Sequence, residues 1–132
     1  MAQEREVFSC PVALGFAPEG NKEREGDGKT PEGRYFVCLK KQGKYGPSLG
    51  ISYPSLQDAL RLDAEEELVR CIREREGQGV RPPWGSFMGG EIYIHGGGAQ
   101  TDWTAGCIAL NDADAETLYA LCDEGTDVEI LP

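Results

Sequence analysis

Two side chains in this sequence have the types and the spacing for covalent chemistry. His95, the only histidine of the chain, closes the run Tyr93-Ile94-His95, and Cys107 follows twelve positions later in Thr104-Ala105-Gly106-Cys107. A free thiol titrates near pH ~8.5, so only a small fraction is thiolate at neutrality. An imidazole within hydrogen-bond reach can take the proton and form a thiolate–imidazolium pair. A third group must then fix the tautomer, and the carbonyl of Gly96 or another nearby carbonyl is a candidate. The N–H groups of Gly106 and Cys107 are candidates to face the oxygen of a tetrahedral intermediate, and Thr104 is a candidate to add a hydroxyl to the site. Taken singly, a strand-end histidine is more often structural and most cysteines are packing residues. Spacing alone leaves the pair suggestive.

Several elements must position these residues. Glu91–His95 and Cys107–Leu110 read as strands on either side of a glycine-rich loop. Upstream, Glu6–Leu14 reads as a strand with Pro11 at an edge or bulge, and Gly15–Gly33 as a long loop dense in turn signals. Loops of that length in compact domains are often functional. Arg34–Lys40 is a second strand, Lys41–Pro47 a turn, and Leu49–Tyr53 a short strand stopped by Pro54. Ser55 reads as a helix N-cap with Asp58 three residues on. The helical pattern runs to Glu76, with Ala64, Leu68, Cys71 and Ile72 on one face and a possible break at Asp63, and Gly77–Gly79 ends it. Val80–Gly90 is irregular. Asn111 or Asp112 caps a last helix with Ala115, Leu118, Leu121 and Cys122 inward and Gly125 as its C′ residue, and Asp127–Leu131 closes the chain as a strand.

The 132 residues, 39% apolar and 27% charged, suffice for one domain with one core, and 18 glycines favour a loop-rich β fold over a helical bundle. The expectation is a single domain over residues 1–132, mainly β with short helices. A net charge of −10 argues against phosphate-backbone binding, so no nucleic-acid partner is expected. No apolar run is long enough for a membrane span, and the charged start Met1–Glu6 does not read as a signal peptide. The five cysteines, Cys10, Cys38, Cys71, Cys107 and Cys122, contain no C-x-x-C, and a single histidine makes a metal site unexpected. All but Cys107 sit among apolar neighbours and read as buried packing residues, with a Cys10–Cys38 disulfide left open.

The stretch His95–Leu110 resembles the signature of the L,D-transpeptidase (YkuD-like) catalytic domain: Ile-His-Gly at a strand end, a loop, then Ser/Thr-x-Gly-Cys before an apolar strand. The resemblance extends through Val12-Ala-Leu-Gly15, Lys22-Glu-Arg-Glu-Gly-Asp-Gly-Lys-Thr-Pro-Glu-Gly33 with Tyr35-Phe36, Ile51-Ser-Tyr-Pro54, and Asn111-Asp112 through Gly125-Thr126-Asp127-Val128. It covers roughly positions 7–131. It implies a β-sandwich or barrel-like catalytic domain that uses no cofactor, with Cys107 as nucleophile, His95 as base and Gly96 as the orienting carbonyl. It also implies oxyanion-hole or substrate-binding roles for Gly106, Thr104 and Trp103. The implied substrates are peptidoglycan stem peptides. Cys107 would attack the carbonyl of the third residue, a diamino acid such as meso-diaminopimelate, and release D-alanine. The thioester would pass to an amine, giving a 3→3 cross-link, or to water. Acylation by carbapenem-type inhibitors and an extracytoplasmic site of action, periplasm or cell wall, are implied as well.

The sequence departs from the family pattern in its details. Ala105 stands where a second histidine is usual, and Ala109 where an arginine often follows the cysteine by two positions. The His-to-Cys loop is shorter than in many members, and Leu60–Phe87 is longer. A first strand before Glu6 is expected to be missing or short. These features resemble a branch that includes hydrolases trimming peptidoglycan-linked groups. Three functions therefore stand side by side: a transpeptidase, an L,D-carboxypeptidase or amidase-type hydrolase on the same scaffold, and an inactive cell-wall-binding domain.

Overall fold

The computed structural model of the chain describes residues 6–132. The elements run β1 (Gly33–Gly43), β2 (Gly46–Ile51), α1 (Leu56–Arg61), α2 (Glu66–Gln78), β3 (Tyr93–His95), β4 (Ile108–Ala109), α3 (Asp112–Leu121) and β5 (Asp127–Ile130). The strands form one sheet in the order β4-β3-β2-β1-β5. The architecture is mainly β with short helices, as the sequence predicts.

β1 and β2 form an antiparallel hairpin closed by the Gly43–Gly46 pair, so the turn proper is only Lys44-Tyr45. The sequence predicts a longer turn, because Lys41 and Gln42 are polar. Both are exposed, in a strand whose backbone pairing continues regardless, with Lys41 opposite Ser48 and Gln42 opposite Pro47. β3 pairs antiparallel with β2 but parallel with β4, with Ile94 opposite Ile108 and His95 opposite Ala109. A parallel pair cannot be joined by a tight hairpin; its connection needs a dozen residues or so. The stretch between His95 and Cys107 is that connection.

The helices fall where their signals lie. Ser55 and Asp58 form a complete capping box on α1, and Asp63, at φ 53°, separates α1 from α2. Gly79, at φ 70°, ends α2 in the left-handed conformation. Ile72 is the fully buried residue of α2 and joins Ile51, Tyr53, Ala59, Met88 and Ile92 in the larger core. Side chains of this size contribute about 1.5–3 kcal/mol each on burial. A second core joins α3 to the sheet through Ala115, Ile108 and Leu110. Lys40 ties α3 down further, donating to the Tyr119 carbonyl at 2.7 Å with its ammonium 4.2 Å from that ring's centroid.

Four expectations need correction. Glu6–Leu14 is not a strand: it touches the sheet through the isolated Ala13–Ala109 bridge, and Gly15–Thr104 makes another just after it. Pro11 supplies no N–H for a ladder, which fits this sparse pairing. Leu121 is 54% exposed, because Tyr119 is the residue turned toward β1 and the helix ends at Leu121. Gly125 is not the C′ residue of α3; Cys122 is the C-cap, and Gly125 at φ 94° instead donates its N–H to the Val37 carbonyl at 2.8 Å. Of the four cysteines read as buried packing residues only Cys38 is buried; Cys10, Cys71 and Cys122 are half-buried, and all five thiols are free. The expected absence of a strand before Glu6 concerns residues outside those described. Among the described residues, no helix is long and apolar enough to cross a membrane.

Candidate active site

In the β3–β4 ladder Tyr93 and His95 point to one face, opposite Ile94, and the register places Cys107 beside Tyr93 on that same face. Histidine and cysteine are thus diagonal neighbours. In a parallel pair the end of one strand and the start of the next normally lie far apart. Here β3 has three residues and β4 two, so the offset is a single two-residue step. The extreme shortness of these strands is what brings the two groups to one place.

His95 is closely held. Its Nδ1 lies 2.5 Å from the Gly96 carbonyl oxygen. A carbonyl only accepts, so Nδ1 carries the hydrogen and the lone pair is left on Nε2. Tyr45, from the β1–β2 turn, stacks on the imidazole with ring centroids 4.7 Å apart and planes 17° apart. Trp103 meets His95 edge-on at 5.9 Å and Tyr45 at 5.2 Å, while its indole N–H donates to the Gly98 carbonyl at 3.0 Å. Trp103, predicted as a substrate-binding residue, is therefore a wall of the histidine site. Burial pushes the His95 pKa below its ordinary value, against the opposing pull of the Gly96 hydrogen bond. The ring rests neutral at physiological pH.

The glycine-rich connection is anchored from α3. Asp112 Oδ1 accepts from the Gly97 N–H at 2.9 Å, and Asn111 Oδ1 accepts from the Ala99 N–H at 3.2 Å. Asn111 occupies the expected N-cap position but makes no cap bond with its side chain. A Cβ at Gly97 would lie 2.9 Å from the Trp103 ring, and the residue sits at φ 109°, so only glycine lets the indole close over the site.

Cys107 is held more loosely. Its Sγ accepts from the Tyr93 N–H at 3.4 Å and donates to the Glu91 carbonyl at 3.6 Å. No hydrogen bond joins Sγ to His95 in this resting arrangement. Glu91 itself sits at φ 54°, rare for a non-glycine residue. Burial pushes the Cys107 pKa up; the Tyr93 N–H and the Lys22 ammonium pull it down, and the Glu91 carboxylate pushes it up again. The expected thiolate–imidazolium pair is thus replaced, at rest, by a neutral thiol and a neutral imidazole.

The turn before Cys107 departs from its predicted use. Thr104 is 5% exposed; its hydroxyl accepts from the Gly106 N–H at 3.1 Å and donates to the Cys107 carbonyl at 2.6 Å. It braces the turn and does not face solvent. The Gly106 N–H is engaged by that brace, so the Cys107 amide is the member of the expected oxyanion pair not tied up by Thr104. Gly106 has φ 141°, and a Cβ there would lie 2.8 Å from the Lys29 carbonyl oxygen and 3.4 Å from Lys22 Nζ.

That contact brings in two residues, Lys22 and Asp27, that belong to the Lys22–Gly33 motif but carry no role of their own in the sequence. Lys22 and Asp27 form an ion pair at 2.9 Å with side chains 3% and 8% exposed. Asp27 also accepts from the N–H groups of Glu23, Arg24 and Lys29. Burial pushes the Asp27 carboxyl up, but the Glu23 amide, Lys22 and the Lys29 and Arg24 amides outweigh it and hold the pKa at about 2. Arg61 donates to the Lys22 carbonyl at 2.9 Å and to Asp58 at 3.0 Å, and Asp58 accepts from the Tyr35 hydroxyl at 2.8 Å. The capping carboxylate of α1 is thereby linked to the loop beneath the thiol. Tyr45 was equally hidden: fifty positions separate it from His95, and only the hairpin turn brings them together.

The fold has counterparts among known proteins. The family model for the L,D-transpeptidase catalytic domain, YkuD, matches residues 1–130. Among solved structures, the helical cell shape determining protein Pgp2 from Campylobacter jejuni is 26% identical, with 89% of this chain and 36% of that one covered and a TM-score of 0.58. Bd1075 from Bdellovibrio bacteriovorus shares the fold at 18% identity, with 98% and 40% covered and a TM-score of 0.62. L,D-transpeptidase 3 from Mycobacterium tuberculosis, solved with a faropenem-derived adduct, does so at 15% identity, with 100% and 50% covered and a TM-score of 0.51. The chain thus spans half or less of the length of each of these structures. No curated protein sequence matches the chain. The match of the family model over nearly the whole length, on a fold shared with solved L,D-transpeptidases, makes this chain a member of the L,D-transpeptidase catalytic domain family.

Proposed function

We propose that residues 1–132 act as one catalytic domain that carries out cysteine-dependent acyl transfer on peptidoglycan stem peptides outside the cytoplasm, as an L,D-transpeptidase forming 3→3 cross-links. The observation that carries this reading is the tautomer of His95. With Nδ1–H committed to the Gly96 carbonyl, Nε2 is a free base on the same sheet face as Cys107.

Since both groups rest neutral, the proton moves as the thiol attacks. Cys107 Sγ leaves the Glu91 carbonyl, passes its proton to His95 Nε2, and adds to the carbonyl of the third stem residue. Catalytic hydrogen bonds are often absent from an unliganded site and form with substrate. The oxyanion faces the Cys107 amide. Collapse breaks the C–N bond, His95 returns its proton to the leaving nitrogen, and D-alanine departs. The amine of a second stem peptide then attacks the thioester and loses a proton to His95. The C–S bond breaks, and the sulfur recovers that proton. Trp103 and Tyr45 form the apolar side of the site, and a carbapenem-type β-lactam would be opened by the same thiol.

The test is mass analysis of products from purified tetrapeptide muropeptides with the wild type and Cys107→Ala. Cross-linked dimers formed only by the wild type are the expected result. Trimmed monomers without dimers would assign the chain to the hydrolases instead. No product, and no selective adduct on Cys107 with a carbapenem, would make it a cell-wall-binding domain.

A further inference from the structure

The loop Lys22–Gly33 carries a buried ammonium that no step above uses. Lys22 is 2% exposed. Its evident structural partner is Asp27, and closing the turn is the simplest role for the pair. Yet Asp27 already closes that turn through three backbone N–H groups, those of Glu23, Arg24 and Lys29. A turn pinned in this way does not need a desolvated cation, which is costly to bury. The ammonium instead ends against Gly106, 3.4 Å from the place a Cβ would take, directly before the nucleophile. Gly106 permits this approach because it has no side chain.

The charged and titratable groups around the thiol are few. Lys22 and Asp27 approach from the loop, and Glu91, Tyr93 and His95 from β3 and the residues before it. His95 is desolvated by Tyr45 and Trp103 and tied to a carbonyl through Nδ1, so it is poorly suited to carry a lasting positive charge. Lys22 is the cation of this group that remains when His95 is neutral.

We propose that Lys22 is a positioning residue for the reaction, whose buried ammonium faces the Gly106–Cys107 peptide and stabilises negative charge on the sulfur and the acyl oxygen, leaving His95 only to carry the proton. Arg61, gripping the Lys22 carbonyl and itself held by Asp58, fixes the backbone from which the ammonium extends. The inference rests on Cys107 as the nucleophile, but its test does not require turnover.

The test is the pH dependence of Cys107 alkylation by iodoacetamide, resolved from the other four cysteines by peptide mass. The variants are Lys22→Met/Asp27→Asn, which replaces the ion pair by a neutral pair, and Asp27→Asn alone, which keeps the ammonium and removes its counter-charge. The double variant should raise the alkylation midpoint by about one pH unit or more, about a tenfold loss of thiolate at a given pH. Its muropeptide kcat should fall with KM little changed. Asp27→Asn should move the midpoint down. A folded double variant with the wild-type midpoint overturns the proposal. If that variant does not fold, Asp27→Asn decides, since an unchanged or raised midpoint overturns it too. A wild type that alkylates at Cys107 but turns over no muropeptide would count against the acyl-transfer reading and leave the role of Lys22 to these midpoints.

Discussion

The two walls of the site are built on different principles. His95 is held by shape: a stacked phenol, an indole edge and a carbonyl at 2.5 Å leave it one orientation and one tautomer. Cys107 is held by field: two long sulfur contacts place it weakly, while Lys22 and Glu91 pull its protonation in opposite directions. In the role proposed for His95, a base must present its lone pair at a fixed point, so rigid packing serves it. In the role proposed for Cys107, a nucleophile must swing from a resting partner to a carbonyl carbon, so weak contacts and a surrounding potential serve it better.

The sharpest way to break this contrast is Cys107→Ala. It should remove transfer activity by at least about 10⁴-fold with almost no change in Tm, because the thiol contributes little packing; a large loss of Tm would show that the sulfur is structural. Next is His95→Gln, expected to lower kcat by about 10²–10⁴-fold, and the double variant should be no worse than Cys107→Ala alone. Tyr45→Ala tests the shape-held side. In the proposed mechanism His95 works when neutral, so wild-type activity should fall only below the ordinary histidine pKa of about 6.5. Removing the stacked ring rehydrates the imidazole, raises its pKa and moves the acid limb of the kcat/KM profile upward, so activity at pH 6 drops more than at pH 8. An acid limb that stays in place would mean that Tyr45 does not desolvate the base.

Thr104→Val leaves the Gly106 N–H without its acceptor and the Cys107 carbonyl without its donor, and should cost about 1–3 kcal/mol of unfolding free energy, measured by denaturant titration. The last effect is confined to acid pH. Asp27 titrates near 2 in the folded chain and near ~3.9 unfolded. Its stabilising contribution is therefore full above the unfolded value and fades as pH falls through about 2. In Asp27→Asn the curve of Tm against pH should be flatter below pH ~4; an unchanged slope would place the acid sensitivity elsewhere.

How much of this was legible in the sequence varies from residue to residue. The capping box at Ser55, the break at Asp63 and the strand–loop–strand layout around His95 and Cys107 announce themselves, because each depends on neighbours in the chain. So does the candidacy of Gly96 as the histidine's partner, one residue away. The expected strand at Glu6–Leu14 failed because alternation cannot report whether a neighbouring strand continues alongside. Thr104 and Gly106 read as free donors from motif spacing, which does not reveal that they satisfy each other. Tyr45 and Lys22 depend on the hairpin register and on the path of a long loop, which no local pattern encodes.

The sheet's borders carry one more consequence. β4, at one edge, has two residues, one of which, Ala109, already exchanges both backbone bonds with Ala13, and β5, at the other, has four. Long bare edges are templates on which a foreign strand can add and from which aggregates grow, and very short ones offer little purchase. In a domain proposed to receive extended peptides, that brevity favours capture by side chains around the thiol over indiscriminate backbone zippering along the sheet.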